Sequence, residues 1–230
     1  MAKTVWKIKS KNKGILFLVI CMLMGITACE KLDEVYTNTD ELSDIIETLQ
    51  PRVIELDNIK IKAQPYNGVC GITSVTVVSN YFNNTDYEAN DLIQKYNATS
   101  GGSNNDDMKK WLQGEMPEKK IVNKSNETNK DMIRDIHTSL YDNNPIVVSF
   151  GAPNPYNEPY YDFHSSVVFG INLDNETIII ANSYGYREEI SLVDFLNRMS
   201  FTEIEKYPTV QQFSLKRNRM DKNDYFLIKQ

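Results

Sequence analysis

The sequence predicts an α+β domain, helices first and sheet second, on three observations. Apolar residues recur at helical spacing between residues 70 and 141. From residue 145 onward, short runs rich in Val, Ile, Phe and Tyr take over. A turn-forming cluster, Asn172 to Asn175, joins two of those runs as a hairpin. With 230 residues, 41 % of them hydrophobic, the chain can bury one large core or two small ones. No internal repeat is present.

The helices follow in order. Glu41 to Leu49 has apolar Leu42, Ile45, Ile46 and Leu49, and should end before Pro51. Gly71 to Phe82 is β-branched enough to suggest a strand. Its stripe of Ile72, Val75, Val78 and Phe82, widened by Val77 and Tyr81, makes it a buried helix instead. Asp86 to Tyr96 is amphipathic and capped near Thr85 or Asp86. After a Gly/Ser/Asn loop, Thr99 to Asn105, a third helix runs to Gln113 with Met108, Trp111 and Leu112 inward. Met116 to Asn129 is irregular around one short strand. Lys130 to Tyr141 is a fourth helix, with Met132, Ile133, Ile136 and Leu140 on one face.

Four strands are expected: Pro145 to Phe150, Ser165 to Ile171, Thr177 to Ala181 and Tyr225 to Lys229. Ser191 to Met199 is a short helix with Ser191 as its N-cap and Asp194 in its first turn.

The first 28 residues stand apart. Met1 to Gly14 carries five lysines and no acid, and Ile15 to Ile26 is an apolar run too short to span a membrane as a helix. That is the n-region and h-region of an export signal. Ile26-Thr27-Ala28-Cys29 resembles a bacterial lipobox, which implies lipid attachment at Cys29 and residence in the cell envelope, on the periplasmic face or the cell surface. The expected division is a signal peptide over 1–28, an acidic tether over 29–58 and a domain over 59–230. The whole chain carries −6; removing the +5 leader leaves −11. So acidic a surface argues against nucleic acid as a partner.

The chain has three cysteines, and two of them, Cys21 and Cys29, lie in the export segment. Cys70 is therefore an orphan thiol, a candidate nucleophile. At the start of a helix, the partial positive charge of the helix end would lower its pKa. A buried structural cysteine is the plain alternative. Only two histidines can serve as base. His137 lies off the apolar stripe of its helix and reads as a solvated residue. His164 opens a strand and can present its ring to a cleft. Asn182 ends the next strand and can orient that ring. A five-residue loop, Ile171 to Asn175, would set the two directly opposite, and a shorter one would slide them by one or two residues. Asn182 could equally be a turn former before Gly185. Gln64, six residues before the thiol, could donate to an oxyanion together with the Cys70 N–H.

Gln-x5-Cys-Gly before a helix, His at a strand start, and Asn-Ser-aromatic-Gly at the end of the next strand together resemble the papain-like cysteine peptidases. The compact size is closer to their bacteriocin-leader-processing (double-glycine) branch. The Gly101-Gly102 loop and Asn144-Pro145-Ile146-Val147-Val148 are further similar points, and the likeness covers about residues 60 to 200. It implies Cys70 as nucleophile at a helix N-terminus, an antiparallel sheet carrying His164 as base and acid and Asn182 as orienter, Gln64 as oxyanion donor, a peptide or protein substrate, and no metal or cofactor. Three positions depart from the pattern: Ile72 where many members have Pro, Asn182 where the compact branch has Asp, and Tyr184 where papain relatives have Trp. Tyr66, Tyr160, Tyr161 and Tyr184 are candidate cleft walls. The same residues would also serve acyl transfer or deamidation, and a surface lipoprotein could keep the fold for binding alone.

Overall fold

The computed structural model describes residues 42–216 and 221–230. The signal peptide and Cys29 lie outside the described residues. Residues 42–48 form a helix, α1, most of it in a first unit ending at Glu47. The second unit begins at Thr48 and includes Val53–Glu55, which joins its sheet as strand β1.

The remaining elements are α2 (Cys70–Asn83), α3 (Ala89–Tyr96), α4 (Asn105–Glu115), β2 (Lys120–Lys124), α5 (Asn129–Tyr141), β3 (Ile146–Pro153), β4 (Tyr161–Asn172), β5 (Thr177–Asn182), β6 (Tyr186–Ser191), α6 (Leu192–Met199), a 3-10 turn (Ile204–Lys206), α7 (Thr209–Lys216) and β7 (Asp224–Lys229). All strand pairs are antiparallel, in the order β2-β7-β3-β4-β5-β6. β1 pairs with the end of β4 that β3 leaves free, at Gly170 to Asn172. Central strands are buried at successive residues, so both faces are covered: β3 from Ile146 to Val148, β4 from His164 to Ile171, β5 from Ile178 to Asn182. α2 packs on β4, with α3 and α4 against α2; α5 packs on β1, β4 and β7, and α6 on β3, β5 and β6.

Two edge strands escape the apolar-run criterion for a physical reason. β6 reads Tyr-Arg-Glu-Glu-Ile-Ser and alternates exposed with half-buried positions, as a charged edge does. β1 has only three residues. His164 also lies inside β4 rather than at its start, because β4 extends back to Tyr161 alongside β3.

Helix α2 is buried along Gly71 to Asn80, hydroxyl residues included. Those hydroxyls need partners once they leave water; Ser79 finds Glu115 on α4, and the others turn to the carbonyl four residues back. Thr73, Ser74 and Thr76 donate to the carbonyls of Val69, Cys70 and Ile72 at 2.8, 3.0 and 2.9 Å. The loop over 99–105 lies against the start of this helix. A Cβ on Gly68, which has φ +84°, would stand 2.1 Å from the Ser100 carbonyl oxygen; one on Gly71 would stand 2.0 Å from Ser103 Oγ. Glycine at both positions lets the loop and the helix start share one wall.

The segment after α6 has a small core of its own. Phe201, Tyr207 and Leu215 are buried together, with Tyr161, Phe163 and Ile204 packed against them. It caps the near end of β4, where the chemistry-bearing residues lie.

Candidate active site

A cleft of about 810 Å³ is lined by Gln64, Cys70, the loop and cap residues 100–107, Ser149, Phe150, residues 162–165, Tyr184, Phe201, Asp221 and Asp224, among others. Three of the four residues singled out for chemistry therefore face one cavity. The fourth, Asn182, is fully buried behind it.

The bond between β4 and β5 depends on a bulge. From the turn, the strands pair Asn172 with Thr177, Ile171 with Ile178 and Gly170 with Ile179. Between Val168 and Gly170 the register shifts, and Val167 then faces Ala181. Continued one step, this puts Asn182 opposite Ser166, two residues from His164. Because side chains alternate along a strand, Asn182 and His164 share a side only because of that one extra residue. Their side chains meet: the His164 Nε2 to Asn182 Oδ1 distance is 2.9 Å.

The ring's tautomer follows from its neighbours. Ser183 Oγ also lies 2.9 Å from Nε2, and its own proton goes to the Ser165 carbonyl at 2.6 Å. Asn182 Oδ1 accepts from the Tyr184 N–H at 3.0 Å, while Asn182 Nδ2 donates to Glu188 Oε2 at 2.7 Å and to the Tyr186 hydroxyl at 3.3 Å. The amide is thus fixed with its oxygen toward the histidine. Nε2 faces two acceptors and carries the proton, which leaves Nδ1 as the basic nitrogen. Tyr184 stacks on the ring, centroids 4.1 Å apart and planes 14° apart. Arg198 holds Glu188 at 2.8 Å and Asp194 at 2.7 Å. Sequence reasoning reached Asn182 but missed Ser183, Glu188 and Arg198. The only available signal was charge on an edge strand, which ordinarily marks a solvated face.

Cys70 is the first residue of α2, partly exposed to the cleft, with no side-chain cap before it. Its sulfur lies within reach of the N–H groups of Gly71 and Ser165 and of the Ser165 hydroxyl. Ser165 directly follows His164, so the thiol and the imidazole come from adjoining points. Burial is the largest influence on the thiol and pushes its pKa up; those donors oppose the shift, and the Asp162 charge adds to it. The lowered pKa expected at a helix start is not found: desolvation outweighs the Gly71 and Ser165 donors. Burial also pushes His164 down to about 4, against the Asn182 hydrogen bond that favours its charged form. Both groups rest neutral near pH 7.

Gln64 is tied to the same strand end. Its N–H donates to the Ser183 carbonyl at 2.7 Å, and Ala63 pairs with Tyr184. Its side chain is 6 % exposed, and its Oε1 is buried with no protein partner.

Two expectations change. His137 is buried, not solvated, and its Nε2 contacts the Pro51 carbonyl at 2.9 Å, so it fastens the chain before β1 to α5. Of the four tyrosines, only Tyr184 lines the cleft; Tyr161 packs against Tyr207, and Tyr66 and Tyr160 are exposed.

A helix-borne thiol over an antiparallel sheet that carries a buried histidine defines a cysteine peptidase of papain-like α+β fold. The chain belongs to the Peptidase_C39-like family, whose profile matches residues 56–208. Among solved structures it resembles one from Bacillus anthracis described as a C39-like peptidase, with a TM-score of 0.51 and 13 % identity, over 77 % of this chain and 98 % of that one. At that identity the likeness speaks for the fold alone. No curated protein matches the sequence significantly. Among the described residues no cluster of His, Cys, Asp and Glu suits a metal ion, and no helix is long and apolar enough to cross a membrane.

Proposed function

We propose that the protein hydrolyses peptide bonds with Cys70 as nucleophile, His164 as general base and acid, Asn182 as orienting residue and Gln64 as oxyanion donor. The observation that carries this reading is the occupied Nε2 of His164: its 2.9 Å contacts with Asn182 and Ser183 leave Nδ1 as the nitrogen for proton exchange with the thiol. The resting pair is neutral thiol and neutral imidazole. His164 Nδ1 takes the Sγ proton as sulfur bonds to the carbonyl carbon. The oxyanion meets the Gln64 amide and the Cys70 N–H, which as the first N–H of α2 has no partner within the helix. Collapse breaks the C–N bond while the imidazolium protonates the leaving amine. Water, deprotonated by Nδ1, then attacks the thioester and releases the acid and the free thiol.

Peptide digestion followed by mass spectrometry tests this. New N- and C-termini should appear with the wild type and vanish with Cys70→Ala; conjugates in place of termini would mean acyl transfer, and undiminished hydrolysis by the variant would remove the reading.

We also propose that Cys29 is acylated and holds the protein in a bacterial envelope. The basic leader, its short apolar run and the residues before Cys29 support this. Metabolic labelling with an alkynyl fatty acid should mark the wild type and miss Cys29→Ser; equal labelling of both would refute it.

A further inference from the structure

An amide side chain has two ends of nearly equal shape, one accepting and one donating, so its neighbours decide which way it faces. Asn182 is fully buried between neighbours of both kinds. Its Oδ1 accepts from the Tyr184 N–H at 3.0 Å and lies 2.9 Å from His164 Nε2. Its Nδ2 donates to Glu188 Oε2 at 2.7 Å and, over a longer 3.3 Å, to the Tyr186 hydroxyl. That hydroxyl can donate or accept, so it does not choose; a carboxylate only accepts. Turned over, the amide would set its NH2 against the Tyr184 N–H and its oxygen against Glu188. Two buried acceptors in contact, one of them charged, are costly. The turned amide would also offer Nε2 a donor. The imidazole proton would then move to Nδ1, and the nitrogen left for the thiol could no longer take a proton.

Glu188 is itself held from behind. It stands on β6, and Arg198 Nη1 of α6 reaches its Oε1 at 2.8 Å. The two side chains are 13 % and 7 % exposed, so solvent and salt screen the pair little. Arg198 Nη2 takes Asp194, one turn back on α6, at 2.7 Å. The guanidinium also lies over the Tyr161 ring, 5.7 Å from its centroid. Arg198 is thus fixed by an acid on each side and a ring, and the Glu188 oxygens divide the work: Oε1 takes the cation, Oε2 the amide. An exposed pair on an edge strand would count for little. This one is buried and ends on the residue that touches the base.

We propose that Glu188 is a positioning residue for the hydrolysis: backed by Arg198, it holds the Asn182 amide in the one orientation that keeps the His164 proton on Nε2 and leaves Nδ1 to the thiol. This role rests on the peptidase reading above. Glu188 touches no reacting atom and acts only through Asn182. In Glu188→Gln, one carboxylate oxygen becomes a donor. With the remaining oxygen on Arg198, the new NH2 faces the Asn182 NH2 and favours the turned amide. A carboxylate at position 182 has no donating end. Asn182→Asp in the same chain therefore accepts from both sides and returns the proton to Nε2.

The test uses the full-length protein, detergent-solubilised, with histidine labelled with nitrogen-15 in the ring. Nitrogen–proton correlation spectra at pH 7, where His164 is neutral, report which ring nitrogen carries the proton. The chain has two histidines, and the His164 signals are those lost in His164→Ala. Peptide kcat and KM are measured on the same samples. The wild type should carry the proton on Nε2. Glu188→Gln should shift the amide equilibrium at least about tenfold, the discrimination expected of a hydrogen bond to a charged group. The shift is read as an Nδ1–H form of His164, with kcat falling at least in proportion to it and KM nearly unchanged. Asn182→Asp combined with Glu188→Gln should restore Nε2–H and most of kcat. A Glu188→Gln protein with its proton still on Nε2 overturns the proposal whether or not kcat falls, since a merely structural role would lower activity without moving the proton. A double variant no better than Glu188→Gln also overturns it. So does a wild-type proton on Nδ1, a result that needs no variant to fold. Peptide cleavage absent from the wild type, or surviving Cys70→Ala, counts instead against the peptidase reading, and the tautomer still decides whether Glu188 sets the amide.

Discussion

Replacing Asn182 by aspartate exchanges one NH2 group for one oxygen, and the surroundings make that exchange costly. Asn182 Nδ2 lies 2.7 Å from Glu188 Oε2, and Asn182 is fully buried. In Asn182→Asp, two carboxylate oxygens would face each other at that distance. With an effective dielectric constant of about 20, the repulsion is about 6 kcal/mol. The protein can avoid most of it by keeping one carboxyl protonated. Arg198 pairs with Glu188 at 2.8 Å and the new aspartate has no such cation, so the proton goes to the new aspartate. Holding a carboxyl protonated at pH 7, about three units above its ordinary pKa, costs about 4 kcal/mol, which sets the ceiling on the damage. For a domain of this size that is a Tm loss of about 10 °C. The new carboxyl has a folded pKa above its unfolded value, so the folded state binds the extra proton. The deficit should therefore be full at pH 7 and fade as pH falls toward 4, where the unfolded chain is protonated as well. Adding Glu188→Gln lets an amide donate to the ionised aspartate, and most of the Tm should return. Calorimetry on the wild type, both single variants and the double variant at pH 7 and 4.5 closes the cycle. An Asn182→Asp protein within 2 °C of wild type at pH 7, or a double variant no better than the single one, would refute the reasoning. In the double variant the ionised aspartate beside His164 should also raise the acid limb of kcat/KM above the wild type's.

Three further outcomes follow from the same geometry. His164, held down to about 4 by burial, stays a usable base until pH falls through that value; wild-type kcat/KM should hold to about pH 5 and then drop, while the same depressed pKa removes stability between its ordinary value and about 4. Cys70, pushed up by burial, should alkylate with iodoacetamide slowly below pH 7 and faster through the alkaline range, and an acid-side plateau would mean a preformed thiolate–imidazolium pair. Tyr184→Ala removes the ring stacked on His164 and should lower kcat about five- to tenfold with Tyr184→Trp restoring it, whereas Gln64→Ala should cost about a hundredfold in kcat with little change in Tm.

Much of the frame can be read from one-dimensional pattern. The spacing of Ile72, Val75, Val78 and Phe82, by three and four residues, makes α2 a helix against its β-branched composition, and that puts Cys70 at a helix start. Strand runs and the Asn172 to Asn175 turn bring His164 and Asn182 to the same end of one hairpin. Local periodicity and turn chemistry carry these features, so a short window suffices. β6 and β1 were not legible, because a charged edge and a three-residue strand lack the apolar signal that burial leaves. His137 was misjudged for a related reason. Position on a helix stripe describes packing by the stripe's partners, and the chain before β1 covers the other side.

The sequence by itself determined which residues carry reactive groups, in what order, and on which kinds of element. It left open the sign of their perturbation. A helix N-terminus favours a thiolate, yet Cys70 is shifted the other way, because desolvation is the sum of everything packed nearby and no local window contains that sum. The partner behind Asn182 was likewise a tertiary decision. A single bulge before Gly170 sets the parity of β4 against β5, and with it whether the amide meets the imidazole or faces away. The acidic lining of the cleft comes from α4, β4, β7 and the segment before β7, stretches scattered along the chain. Only folding brings such charges to one surface, because Coulomb energy depends on separation in space and not along the sequence.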